Sequence, residues 1–287
     1  MIGSDNVTEI IKYIRTKAKM TQEQFAVCIN TTPLTINRWE NGKSIPNKMA
    51  QNQLYQFCKE NQINLYNYIV EQFQYTQKND GMILYHGSKE GIIGDIMPKS
   101  RRYCDFGRGF YMGTEPSQPL TLICDEKNPI VYSLTMDTSN LRILEMGMDL
   151  EWAMLIAYYR GYMDEVKDSK IYKYYLNLAK DYDIISGYIA DDRMYQVITG
   201  FFEKRVTDVA LVASLSALDL GKQYVAVSEK ACRNIEIIGQ KKLSTLELLV
   251  LKEQSIIRRS EGISLTEKIL LEHRRDGKFF DEILRGE

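Results

Sequence analysis

The chain has 287 residues, 44% of them hydrophobic and 26% charged, and a net charge of −1. That is ordinary for a globular protein of one or two domains, and it excludes a strongly basic nucleic-acid binder overall while leaving room for one basic surface. Five scattered cysteines without a C-x-x-C pair and two distant histidines fit buried free thiols and argue against a metal site, and the absence of a signal segment or a long apolar run points to a cytoplasmic protein with no membrane partner.

The first seventy residues read as five short helices. Ile10, Ile11 and Ile14 recur at helical spacing in the first. Thr21-Gln-Glu-Gln24 forms a capping box that opens the second, and Phe25, Ala26 and Ile29 give that helix an apolar face. Pro33 suits the first turn of a third helix that carries Leu34, Ile36 and Trp39 and stops at Asn41-Gly42. Pro46 is expected to open a fourth, and Ile63 to Gln74 a further one. Two short helices joined by a tight turn form the helix-turn-helix unit, whose second helix enters the major groove.

The string TQEQFAVCINTTPLTINRWENGKSIP resembles the repressor-like (XRE/Cro) DNA-binding family. The resemblance implies that Gln22 binds a phosphate, that Thr32, Thr35, Asn37 and Arg38 read bases, and that Lys43 contacts the backbone of double-stranded DNA. Residues 1–62 carry an excess of three positive charges, which is compatible with phosphate binding. The alternative is a helical module used only for docking or dimerisation. Pro33 departs from the family, which usually presents a small or polar residue there.

Residues 63–80 read as a linker, with the hinge at Gln77-Lys78-Asn79-Asp80-Gly81. The periodicity then changes. Ile83–Tyr85, Ile130–Leu134, Val209–Val212 and Tyr224–Val227 are strand candidates. Leu150–Tyr162, Ile171–Leu178 and Met194–Phe202 have helical patterns. Strands interspersed with helices argue for an α+β domain, placed at 81–240.

His86, in Leu84-Tyr85-His86-Gly87-Ser88, ends an apolar run, and Tyr111 ends another after Gly107-Arg108-Gly109. A His and a Tyr at the ends of neighbouring strands are expected to wall one cleft, suited to an aromatic ligand with a ribose. Together with FGRGFYMGTEPSQ and KQYVAVSEKA, this block resembles the three NAD-binding blocks of the ADP-ribosyltransferases, in the His–Tyr–Glu branch. DFGRGFYMGTEPSQ with YDIISGYIADDRMYQ further resembles a bacterial domain family of unknown function placed in that superfamily.

The resemblance implies an ADP-ribosyltransferase-like fold and NAD as substrate, without a metal. His86 would bond a ribose hydroxyl, the Gly87 backbone would grip the carboxamide beside Ser88, Tyr111 would pack on the nicotinamide, and Ser117 would contact the amide. The third block presents Gln223 where the family has Glu. Gln can bond a ribose hydroxyl, but it neither stabilises an oxocarbenium ion by charge nor acts as a base. Asp191 and Asp192 are candidate ribose or acceptor carboxylates, with a helix cap as the alternative. Arg108 is a candidate for pyrophosphate, beside Arg101 and Arg102.

Residues 241–287 read as a helical extension. Leu246–Ile256 suggests one helix, and Leu265–Leu271 a second started by Ser264. Phe279, Phe280 and Ile283 are expected to be anchors, and His273 to be at the surface.

The expected architecture is thus an all-α helix-turn-helix domain at 1–62, an α+β ADP-ribosyltransferase-like domain and a helical tail. The leading function is NAD-dependent mono-ADP-ribosyl transfer to a protein or nucleic-acid acceptor, of toxin–antitoxin or phage-defence type and coupled to DNA binding. The alternative is a non-catalytic NAD-sensing transcription regulator. The partners considered are NAD, double-stranded DNA, an acceptor, an antitoxin and a second copy in a homodimer.

Overall fold

Caps and apolar spacing together define the first helices. In the computed structural model, which describes residues 6–73, 82–189, 194–217 and 220–286, α1 (Asn6–Lys17) buries Ile10, Ile11 and Ile14. α2 (Gln22–Cys28) opens on the expected capping box. The Gln24 amide donates to Thr21 Oγ1 at 3.3 Å, and the Thr21 amide donates to Gln24 Oε1 at 2.9 Å. α3 (Pro33–Glu40) starts with Pro33 in its first turn, and Gly42 follows its end at φ +67°. α4 (Lys48–Glu60) is capped by Asn47, not opened by Pro46. Asn47 Oδ1 accepts from the Ala50 amide at 2.9 Å, an acceptor that proline lacks. α5 (Tyr66–Glu71) is shorter than the pattern over 63–74 predicts. Leu65, Tyr66, Ile69 and Phe73 around it are nevertheless buried.

Seven strands form one mixed sheet: β1 (Met82–Ser88), β2 (Phe110–Gly113), β3 (Ile130–Met136), β4 (Ile143–Glu145), β5 (Ile184–Tyr188), β6 (Lys222–Ala226) and β7 (Ile235–Lys242). Their order is β4-β5-β6-β2-β1-β3-β7, and only β4–β5 is parallel. β1 pairs with β3 along its whole length, from Met82–Met136 to Ser88–Ile130. It shares a single register pair with β2, Tyr85–Gly113. The sheet is therefore two half-sheets that meet at a seam.

The helices of this region are α6 (Ser117–Leu122), α7 (Leu150–Tyr159), α8 (Lys170–Leu178), α9 (Met194–Phe202), α10 (Asp208–Leu215), α11 (Glu229–Arg233), α12 (Thr245–Glu272) and α13 (Phe280–Arg285). Two expectations are corrected. Val209–Val212 lies in α10, because Thr207 caps a helical turn there, its Oγ1 accepting from the Ala210 amide at 3.3 Å. The run is too short for β-branching to override a cap. Leu246–Leu271 lies in one 28-residue helix, not two, opened by a Ser244/Glu247 capping box and followed by α13. Nothing between Ile256 and Leu265 breaks it, and an interior glycine such as Gly262 costs only about 1 kcal/mol.

The core has three parts. On one face, α7 to α10 and Phe280 of α13 cover β2, β5 and β6 through Trp152, Phe201, Ile185 and Val225. On the same face, α6, the N-terminal helices and the start of α12 meet over Tyr85 of β1 and Val131 of β3. On the opposite face, Leu84, Phe110, Met112, Leu134 and Cys232 pack together. The N-terminal helices and the sheet thus share apolar core. Of the five cysteines, Cys58, Cys124 and Cys232 are buried free thiols, whereas Cys104 is half-buried and Cys28 is exposed on the polar side of its short helix.

Candidate functional site

α2 and α3 meet around buried Phe25, Ala26, Ile36 and Trp39, which leaves the polar side of α3 outward. Asn37, Arg38 and Lys43 are exposed. Thr32 is the α3 cap, accepting from the Thr35 amide at 3.2 Å, and the two threonine hydroxyls lie 2.8 Å apart. Gln22 is half-buried. Its Nε2 donates to Glu40 Oε2 at 2.6 Å, and Asn37 Nδ2 donates to its Oε1 at 3.4 Å. Arg15 grips the same Glu40 with two nitrogens, at 2.6 and 3.1 Å, and this bond raises the Arg15 pKa. α1, α2 and α3 are thereby locked by one carboxylate. Leu34, which the sequence groups with Ile36 and Trp39 on the third helix, is not buried with them but 69% exposed beside Asn37 and Arg38.

The seam of the sheet gathers the second set of residues. His86 leaves Tyr85, the last residue of β1 paired to β2, and its Nδ1–H donates to the Tyr111 carbonyl at 2.7 Å. This bond stands in for the missing ladder. Its ring stacks on Phe110 at 4.3 Å. Burial lowers the His86 pKa below 6.5, against a smaller opposing effect of the Tyr111 carbonyl. The ring is therefore neutral, with Nε2 as its acceptor nitrogen.

Successive residues of a strand alternate faces. Tyr111 lies two residues from Gly113, the partner of Tyr85, so its side chain shares the face of Tyr85 and His86 takes the other. The two rings do not face each other across one cleft. Gly87 lacks a Cβ for a reason other than ligand approach. A Cβ there would sit 2.9 Å from Ile123 Cγ2 and 3.0 Å from Pro119 Cβ, both from the α6 segment. Ser117 is the first residue of α6, on that same face. Ser88 Oγ closes a turn by accepting from the Gly91 amide at 3.0 Å.

Tyr111 and Gln223 share the α7-covered face, and an ion pair that the sequence reading missed sits between them. Gln223 is buried, and its Nε2 donates to Asp105 Oδ2 at 3.1 Å and to the Tyr188 carbonyl at 3.2 Å. Arg160, at the end of α7, clasps Asp105, with Nε 2.9 Å from Oδ1. The Tyr111 hydroxyl donates to the Gly107 carbonyl at 2.8 Å and accepts from the Phe106 amide at 3.0 Å. Burial, with the nearby Asp105 carboxylate, pushes the Tyr111 pKa up, so the phenol stays protonated. Asp105 was legible only as part of a motif string, and Arg160 had no signal at all. A cavity of about 280 Å³ opens beside the pair, lined by Tyr103, Arg160 and Tyr195.

Arg108, Arg101 and Arg102 are exposed. Asp191 and Asp192 lie outside the described residues. Among the described residues, no three His, Cys, Asp or Glu side chains are grouped to hold a metal ion, and no helix is long and apolar enough to cross a membrane.

These features define a class: a helix-turn-helix unit joined to a mixed α/β domain with a seven-stranded sheet and a long C-terminal helix. Residues 11–49 match the helix-turn-helix family, which points to DNA binding. Residues 82–237, more than half of the chain, match the family described as a protein of unknown function, DUF3990, and the chain belongs to that family. No curated protein and no solved structure matches the chain.

Proposed function

We propose that the chain is a DNA-binding regulator whose α/β domain takes NAD without efficient turnover. The DNA-binding half rests on the helix-turn-helix geometry, with Asn37, Arg38 and Lys43 outward. The NAD half rests on the resemblance of the three blocks to the ADP-ribosyltransferases; the blocks lie on neighbouring strands, with His86 and Gly87 on β1, Tyr111 on β2 and Gln223 on β6. The observation that carries the non-catalytic reading is Gln223. Cleaving nicotinamide from ribose develops positive charge on the sugar, which a carboxylate stabilises and an amide does not. Here that amide is buried and donates to Asp105 and Tyr188.

A second reading, mono-ADP-ribosyl transfer of toxin–antitoxin or defence type, is favoured by Asp105 itself. Its Oδ2 accepts from Gln223 Nε2 at 3.1 Å, beside the residue that the resemblance aligns with the family's acid.

One experiment separates the two. Purified protein is mixed with NAD and assayed for nicotinamide release, NAD binding and retardation of its own promoter DNA, alongside His86→Ala. The regulator reading expects saturable NAD binding that needs His86, a changed DNA shift and no release. Multiple-turnover release lost in His86→Ala would replace it with the transferase. No binding and no release would remove NAD from the account and leave DNA binding intact.

A further inference from the structure

The second half of α12 carries an apolar face that stays exposed among the described residues. Leu251 and Gly262 point inward and are buried. On the outer side Ile256, Ile257, Ile263 and Leu271 are 67, 43, 49 and 73% exposed. A soluble surface scatters such side chains singly, whereas four on one helix face mark a contact surface. Ile256 and Ile263 are seven residues apart, two turns, and so lie on one side of the helix. Lys252 precedes the first by four residues and Glu267 follows the second by four.

The face therefore reads Lys–Ile–Ile–Glu symmetrically about a midpoint between Arg259 and Ser260. Turned antiparallel against itself about a two-fold axis there, it sets Ile256 against Ile263 of the other copy. The same operation sets Lys252 against Glu267 of the other copy, twice over. An isologous interface has this self-complementarity. Lys252 already meets Asp125 at 3.1 Å, but both are exposed, so exchange costs little.

We infer that a second copy of this chain docks on this face, α12 against α12 in antiparallel. A two-fold pair also suits the helix-turn-helix unit, since dimers read two half-sites. The interface itself rests on α12 alone, and its test uses no DNA and no NAD. Interfaces below ~1,200 Å² are weak, so the dimer is expected in the micromolar range.

The test is sedimentation velocity on the full chain over a concentration series. The wild type is expected to show a concentration-dependent monomer–dimer equilibrium. Ile256→Glu with Ile263→Glu is expected to stay monomeric with unchanged secondary structure. Lys252→Glu alone should weaken the dimer roughly fivefold to tenfold through its two symmetric contacts, and adding Glu267→Lys should restore it. The charge exchange also decides the matter if the isoleucine variant fails to fold. A wild type monomeric throughout, a dimer indifferent to the isoleucines, or a charge exchange that does not restore association would each overturn the inference.

Discussion

Replacing Gln223 by Glu puts a second carboxylate where the fold already holds one. Gln223 Nε2 is 3.1 Å from Asp105 Oδ2, and both residues are buried. Two unit charges at that separation repel by roughly 5 kcal/mol at an effective dielectric of about 20. The Arg160 guanidinium on Asp105 offsets part of this, so the expected cost at neutral pH is about 2–4 kcal/mol. The sign follows from linkage. The introduced carboxyl has a folded pKa raised above its unfolded value of about 4.3. Below that value both states hold the proton, and the neutral acid donates to Asp105 in place of the amide. As pH rises through the unfolded pKa towards the raised folded one, the unfolded state ionises first and the penalty grows, reaching its full size above the folded pKa. Urea unfolding of wild type and Gln223→Glu near pH 4 and pH 7.5 reads this directly. The stability gap should be small at the acid end and about 2–4 kcal/mol at the neutral end. A gap of equal size at both pH values would mean that Gln223 does not face Asp105, and the reading of the seam would fail with it.

Other perturbations probe separate parts of the argument. Lys241→Ala leaves Glu247 buried without its partner, now at 2.5 Å, and should cost about 3–5 kcal/mol in chemical denaturation; pairing it with Glu247→Gln should recover part of that loss. Gly87→Ala drives a methyl into Ile123 and Pro119, and should lower stability by about 1–3 kcal/mol; a neutral result would mean that α6 yields freely. Arg38→Ala should weaken binding to the cognate operator by about 1–3 kcal/mol, while Lys43→Ala weakens all sequences alike and reduces the salt slope by about one, both read by anisotropy titration. The His86 ring is neutral when folded, with a lowered pKa, so protonation of the unfolded chain erodes stability as pH falls through about 6.5. His86→Gln should remove that acid-side slope in thermal melts, and an unchanged slope would assign it elsewhere.

The sequence revealed what is written in local chemistry. The Thr21 capping box, Pro33 in a first turn and the stop at Gly42 are short-range devices, and each takes its expected place. β1, β3 and β6 were visible as short apolar runs. What was hidden depends on distant partners. Val209–Val212 is as β-branched as a strand, and only the Thr207 cap turns it helical. β5 was not among the strand candidates, and its pairing with β4 and β6 comes from chain far away. The Asp105–Arg160 pair joins residues 55 positions apart, beyond any spacing rule. Strand alternation also undoes the picture of His86 and Tyr111 as facing walls. Two strand-end residues share a face only if the register says so, and the Tyr85–Gly113 pair fixes it otherwise.

For a ligand at the seam to alter DNA binding, it must favour one of two arrangements, and those arrangements must reach α3. A continuous route exists. β1 carries His86 and Gly87 and is laddered to β3, which is laddered to β7. Lys241 of β7 reaches Glu247 in the first turn of α12 and lies 4.8 Å from the Phe73 ring. Next to it, buried Gln51 of α4 accepts from the Leu246 amide at 2.9 Å and donates to the Pro46 carbonyl at 2.9 Å, just past α3. Glu253 then accepts from Tyr55 at 3.0 Å and pairs with Lys59 at 2.8 Å, fixing α4 along α12. The strand ladders, the Lys241–Glu247 pair and the Gln51 bonds are buried, whereas the Glu253 contacts are part-exposed, so it is through the buried links that strain at β1 is passed on. Contiguity alone does not make a switch; one element must have two states. The seam between β1 and β2 is the place for it, because one register pair and one histidine bond hold it where every neighbouring strand pair has a longer ladder. A ligand that opens or closes that seam moves the β1–β3–β7 half, and with it the base of α12 on which the DNA-binding helices rest.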